Sequence, residues 1–143
     1  MSFELLKKVG NAQMKKAVLD VRSGDTVRVS QKIKEGDKFR IQVFEGTVIR
    51  VDKKNSATAR IVVRKVASGV GVETSFLLHS PLVEKIAIVR RGRVRRDNLR
   101  FLRERSGKSA RLISKDFDRK AANTLPEVEE EATEAPAEEK AEA

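Results

Sequence analysis

Between Gly24 and Arg90 apolar and polar residues alternate along much of the chain. Thr26-Val27-Arg28-Val29-Ser30 does so, as does Phe39-Arg40-Ile41-Gln42-Val43-Phe44. A period of two predicts strands, because successive side chains of a strand point to opposite faces of its sheet. Further strand-like runs cover residues 47–51, 59–66, 72–78 and 83–89. Turn residues punctuate them: Ser23-Gly24-Asp25, Glu35-Gly36-Asp37, Asp52-Lys53-Lys54-Asn55-Ser56, Ser68-Gly69-Val70-Gly71 and Pro81. Gly46 interrupts the run between Phe44 and Thr47, which predicts a bulge or a sharp bend there. Short strands at this spacing, with no helix between them, predict a small antiparallel barrel that closes its own edges.

The flanks follow other patterns. Residues 2–18 read as a short helix, with Ser2 as its cap and Leu6, Val9, Ala17 and Val18 near helical spacing. Gly10-Asn11 weakens that helix from within. Residues 98–105 have the length of two helical turns, and residues 112–125 are ambiguous, with a helix ending near Asn123 as one reading. The expected organisation is an N-terminal helix at 1–20, a barrel at 21–90, a basic arm with short helices at 91–125 and a tail at 126–143. That tail is Glu, Ala and Pro, a composition that buries too little apolar surface to order itself.

Composition narrows the core. There are six Phe, no Trp and no Tyr, so Val, Ile and Leu must fill it, with Phe3, Phe39, Phe44, Phe76, Phe101 and Phe117 as the largest pieces. The absence of cysteine excludes disulfides, thiolate zinc sites and thiol catalysis. No apolar run approaches the roughly 20 residues of a membrane helix, no lipidation motif is present, and the N-terminus lacks a signal pattern. The expectation is a soluble cytoplasmic protein without membrane contact.

Charge changes the picture most. The formal net charge is +10, yet residues 126–143 hold eight Glu and one Lys. The first 125 residues therefore carry +17, a field that repels itself unless a polyanion neutralises it. Nucleic acid is the usual polyanion, since each neutralised phosphate releases counterions; a membrane surface is the other candidate, but no basic amphipathic helix with a continuous apolar face is present. The excess peaks at residues 90–111, with ten Lys or Arg against Asp97 and Glu104. Arginine predominates, and its planar fork grips phosphate bidentately and stacks on bases. So one-signed a run is unsuited to a solvated face of compensating pairs. Candidate binding residues are Arg90, Arg91, Arg93, Arg95, Arg96, Arg100, Arg103, Arg105, Lys108 and Arg111, joined by Arg64 and Lys65. Lys53 and Lys54 are further phosphate candidates. Gly92 is expected to let the backbone approach a groove, while Leu99, Phe101 and Leu102 pin the arm to the barrel. RNA is favoured over DNA, because no helix-turn-helix, zinc finger or zippered basic helix is visible and an irregular Arg- and Gly-bearing strand suits irregular RNA.

Enzyme-like fragments do not add up to a site. His79 is the only histidine, it has no nucleophile or acid partner, and beside Pro81 it reads as a structural hydrogen-bonder. Gly69-Val70-Gly71 lacks a dinucleotide fingerprint and reads as a hairpin turn. Ser106-Gly107-Lys108-Ser109 lacks the upstream glycine and strand of a nucleotide-binding loop.

Seven blocks in order carry a family resemblance: Gly24-Asp25-Thr26-Val27, Phe44-Glu45-Gly46-Thr47-Val48-Ile49, Val63-Arg64-Lys65, Gly69-Val70-Gly71-Val72-Glu73, His79-Ser80-Pro81-Leu82-Val83, Arg90-Arg91-Gly92-Arg93-Val94-Arg95-Arg96, and Leu102-Arg103-Glu104-Arg105-Ser106-Gly107-Lys108-Ser109-Ala110-Arg111. With these the chain resembles the bacterial large-subunit ribosomal protein nineteen family. The resemblance implies a mainly β fold, an SH3-like barrel of the translation-protein type with a basic C-terminal arm. It implies a structural, non-enzymatic role without a cofactor: binding large-subunit rRNA at the subunit interface. Its implied partners include small-subunit rRNA at an intersubunit bridge and the neighbouring large-subunit protein fourteen. The family's Lys and paired tyrosines ahead of its Leu-Arg-Glu-Arg motif are replaced here by Asn98, Arg100 and Phe101. The loop at 52–56 lacks the family's glycines.

Overall fold

The computed structural model describes residues 3–124. A short helix, α1 (Phe3–Ala12), precedes an antiparallel sheet of β1 (Thr26–Glu35), β2 (Lys38–Asp52), β3 (Arg60–Ala67), β4 (Val70–Leu77), β5 (Val83–Gly92) and β6 (Ser114–Lys115). The strand order is β4-β3-β2-β1-β5-β6, a curled half-barrel. The mainly β expectation holds. The expected closure does not: β4 and the β5–β6 side remain as edges. Part of the β5 edge is covered by a side chain, since Asn123 accepts from the Ile88 N–H at 2.7 Å and donates to its carbonyl at 3.0 Å. Asn123 ends α2 (Arg119–Asn123), whose first turn is capped by Asp118 accepting from Lys120 N and Ala121 N.

The helix expected over residues 2–18 stops at Ala12, just past Gly10-Asn11. Ser2 lies outside the described residues. Residues 13–25 then form no regular element, with turns at Gln13 and at Ser23-Gly24. Val18 and Leu19 pack on the core, and the backbone N–H of Lys15 donates to His79 Nδ1 at 3.1 Å. His79 is thus the structural hydrogen-bonder its context predicted.

The runs 39–44 and 47–51 form one long strand, not two. Gly46 does not break it. A Cβ there would lie 2.5 Å from the Arg64 carbonyl oxygen, so only glycine lets β3 approach so closely. The bulge comes slightly later, where pairing with β3 slips between Val48 and Arg50. Val48 and Val51 therefore both reach the core although they are three apart, and Ile49 between them joins a second cluster on the arm side. The turn at Ser68-Gly69 is a two-residue hairpin loop with φ of 50° and 81°, and Gly71 already belongs to β4.

The core consists of Val21, Val27, Val29, Val48, Ala59, Ile61, Val63, Phe76, Leu78, Val83 and Ile88, with Phe44 and Phe117 against it. Phe39 was expected inside but is 70% exposed, because the outer half of the β1–β2 hairpin runs past the sheet's other strands. Phe3 contributes no described side chain.

Candidate nucleic-acid interface

The basic arm doubles back on itself. Residues 93–113 leave the end of β5 and return to it, closed at the base by Arg93 N donating to the Ile113 carbonyl at 2.8 Å. Below that bond Arg91 pairs with Lys115 and Gly92 with Ser114. The excursion is a lobe rather than an extended thread. Two single 3₁₀ turns, Arg100–Arg103 and Gly107–Ala110, replace the helical turns expected at 98–105.

Two buried leucines hold the lobe. Leu99 and Leu102 pack on Ile49 in a small second core flanked by Val94, Phe101 and Leu112. Leu99 N donates to the Ile49 carbonyl at 3.0 Å, so the bulge in β2 supplies both a side chain and an acceptor. Ser23 Oγ donates to Asp97 Oδ1 at 3.0 Å. Gly24 and Gly92 pack back to back: a Cβ on Gly92 would lie 2.6 Å from the Gly24 carbonyl oxygen. Gly92 therefore serves an internal crossing, not the approach to a groove that the sequence suggested.

The basic side chains divide into two groups. Some are held within the protein. Arg103 grips Glu73 bidentately at 2.8 and 2.7 Å, and Arg64, largely buried, reaches the same carboxylate at 3.0 Å. Arg91 donates to the Asp20 carbonyl at 3.2 Å, stands over the Phe117 ring, and has its Nε 3.7 Å from the buried Asp25. Lys65 lies over Phe44, Arg105 stacks 4.7 Å from the Phe101 ring centre, and Lys54 pairs with Asp20. Lys53 and Asn55 adopt positive φ of 48° and 69°, the turn the glycine-free loop needs. The second group is free. Arg90, Arg93, Arg95, Arg96, Arg100, Lys108 and Arg111 are exposed and carry no side-chain partner among the described residues.

Carboxyl groups register these fields. Glu73 is held below the usual carboxylate range, chiefly by the Arg103 hydrogen bond, with burial opposing it and Arg64 adding to it. For Asp52 burial pushes the carboxyl up, but hydrogen bonds from Arg60 and Arg50 outweigh it and leave it lowered. Asp25 is raised, because burial outweighs the backbone bond from Arg22 and the attraction of Arg91.

Open cavities line the lobe. One of about 470 Å³ has Val94, Leu99, Phe101 and Leu112 beneath a rim of Arg93, Arg95, Arg96 and Arg105. Such an arrangement suits a stacked base next to its phosphate. Another, of about 360 Å³, brings Arg100 and Arg103 against Arg50 and Arg60 of the sheet. The sequence reading missed Arg50 and Arg60, which lie outside the Arg-rich run. Only the register of β2 on β3, with Asp52 opposite Arg60, brings them together. Among the described residues no group of three His, Cys, Asp or Glu could hold a metal ion. No helix among them is long and apolar enough to cross a membrane.

Comparison with known proteins places the chain among named relatives. A family model described as Ribosomal protein L19 matches residues 4–115. A Mesomycoplasma hyopneumoniae protein named large ribosomal subunit protein bL19 is 55% identical over 102 residues, covering 71% of this chain and 82% of the relative. The Malacoplasma penetrans protein of the same name is 52% identical over 109 residues, 76% of this chain and 74% of the relative. That from Mycoplasma capricolum is 50% identical over 102 residues, 71% and 78%.

Proposed function

The chain belongs to the ribosomal protein L19 family, a structural and non-enzymatic constituent of the large ribosomal subunit, and from that premise we propose that its lobe is the part that binds rRNA. The carrying observation is the free group of cations. Arg93, Arg95, Arg96, Arg100, Lys108 and Arg111, on a lobe held by its own small core, and Arg90 at the end of β5 are exposed and unpartnered among the described residues. Phosphates supply the missing partners, and guanidinium forks meet them bidentately. The inward arginines, Arg64, Arg91 and Arg103, shape the lobe, and Lys65 and Arg105 lie against aromatic rings. The working units are the sheet as scaffold, the lobe as RNA reader and the 126–143 tail, which lies outside the described residues.

The lobe's placement at the subunit interface, a bridge to small-subunit rRNA and contact with large-subunit protein fourteen are the finer parts of this proposal, supported by family membership. No cofactor enters it. The test is binding to large-subunit rRNA across a salt series. Replacing Arg95, Arg96 and Arg111 together by Ala is expected to weaken binding and flatten the salt slope by about one per lost phosphate contact. An unchanged slope would place the RNA contacts elsewhere.

A further inference from the structure

The cleft where the lobe meets the sheet has a composition that rRNA binding in general does not require. Arg50, Arg60, Arg100 and Arg103 converge on it, with Asn98 and Ser75 between them. We propose that this cleft is a dedicated phosphate pocket, taking one backbone phosphodiester of the RNA; the inference rests on the RNA-binding reading above.

Three features lead there. The first is how the cations are held. Asp52 Oδ2 accepts from Arg50 Nη2 at 2.6 Å and from Arg60 Nε at 2.9 Å. Glu73 accepts from Arg103 and Arg64 on the cleft's other side. Each carboxylate thus orients two guanidinium groups, and side chains already ordered lose less freedom when a ligand arrives. The second is the balance of charge. Arg50, Arg60, Arg100 and Arg103 line the cleft with Glu73 as its one lining carboxylate, Asp52 pairs with Arg50 and Arg60, and Arg100 has no partner among the described residues. An arginine group carries five N–H donors, so donors remain on those already paired. The third is shape. The cavity of about 360 Å³ is open and lined mainly by polar atoms, with room for a phosphate group and its adjoining sugar. Fixed, net-positive donor forks with Ile49 and Val62 as the only apolar lining residues favour a tetrahedral oxyanion over a base.

The pocket also joins two elements. Arg50 and Arg60 come from β2 and β3, while Arg100 and Arg103 come from the lobe. A phosphate bound between them would fasten the lobe to the sheet, so RNA binding and lobe docking reinforce each other.

The experiment is phosphate-ethylation interference with the full-length protein on large-subunit rRNA. Wild type is compared with Arg100→Gln and with Arg60→Gln/Arg100→Gln. Arg100 makes no described contact through its side chain, so its variant keeps the fold. The expected result is that one interfering phosphate disappears in both variants while the others persist. Affinity should fall roughly tenfold, as for a lost charge-assisted contact, and the salt slope should fall by about one. Retention of every interfering position, or uniform weakening with none lost, would overturn the pocket. A parallel titration follows the Arg60 and Arg100 side-chain resonances with inorganic phosphate. Tight saturation by free phosphate, with an unaltered interference pattern, would make the site one for a soluble anion and overturn the RNA assignment. If wild type shows no interfering phosphate at all, RNA binding itself fails and the pocket fails with it.

Discussion

Glu73 shows how a single carboxylate decides which arginines are available for a partner. It holds Arg64 and Arg103 and so fastens β4 to the lobe. Its lowered pKa fixes the sign of a pH effect. A carboxyl depressed in the folded state stabilises above its unfolded value, roughly 4.3, and that contribution is lost as pH falls through the folded value. Lobe docking should therefore loosen only in acid below the usual carboxylate range, seen as a shift of the Arg103 Nε–H resonance. Glu73→Gln should abolish that pH dependence and leave the lobe loosened at neutral pH. An identical acid profile in the variant would show that Glu73 does not hold the lobe. At this scale the sequence was partly legible. Leu99 and Leu102 were recognisable as anchors because apolar residues in so charged a stretch have few other uses. The division of arginines into inward and outward was not, since Glu73 is distant from Arg103 in sequence and only the fold joins them.

Among the elements, the bulge in β2 matters most. It turns Ile49 away from the main core to meet Leu99 and Leu102, and so one strand serves two cores. Leu99→Ala is expected to cost about 2–5 kcal/mol, the range for truncating a buried leucine. Hydrogen exchange should rise across residues 93–113 while β1, β2 and β5 keep their protection, because Ile49 and Leu99 belong to the lobe's own cluster. Exchange rising equally throughout would show one undivided core. Period-two alternation made most strands readable. It failed around Gly46, where a residue that punctuates a sequence pattern is needed to let two backbones meet. It also failed at the arm, because the return to β5 rests on the two short pairs of β6, too few residues to leave a pattern.

For the molecule as a whole, charge was the most legible property and closure the least. An excess of +17 over the first 125 residues points to a polyanion before any fold is known. Whether a sheet closes depends on pairing between distant strands, and here the β4 edge stays open while β5 is partly covered by Asn123. A lobe-bearing sheet of this charge is built to remain in the ribosome. The direct measurement is sucrose-gradient sedimentation of the tagged protein from cells at moderate and high salt. Co-migration with the large subunit and with seventy-S particles, persisting through a high-salt wash, is the predicted result. Migration at the top of the gradient, or release at modest salt, would mark a free nucleic-acid binder instead of a ribosomal constituent.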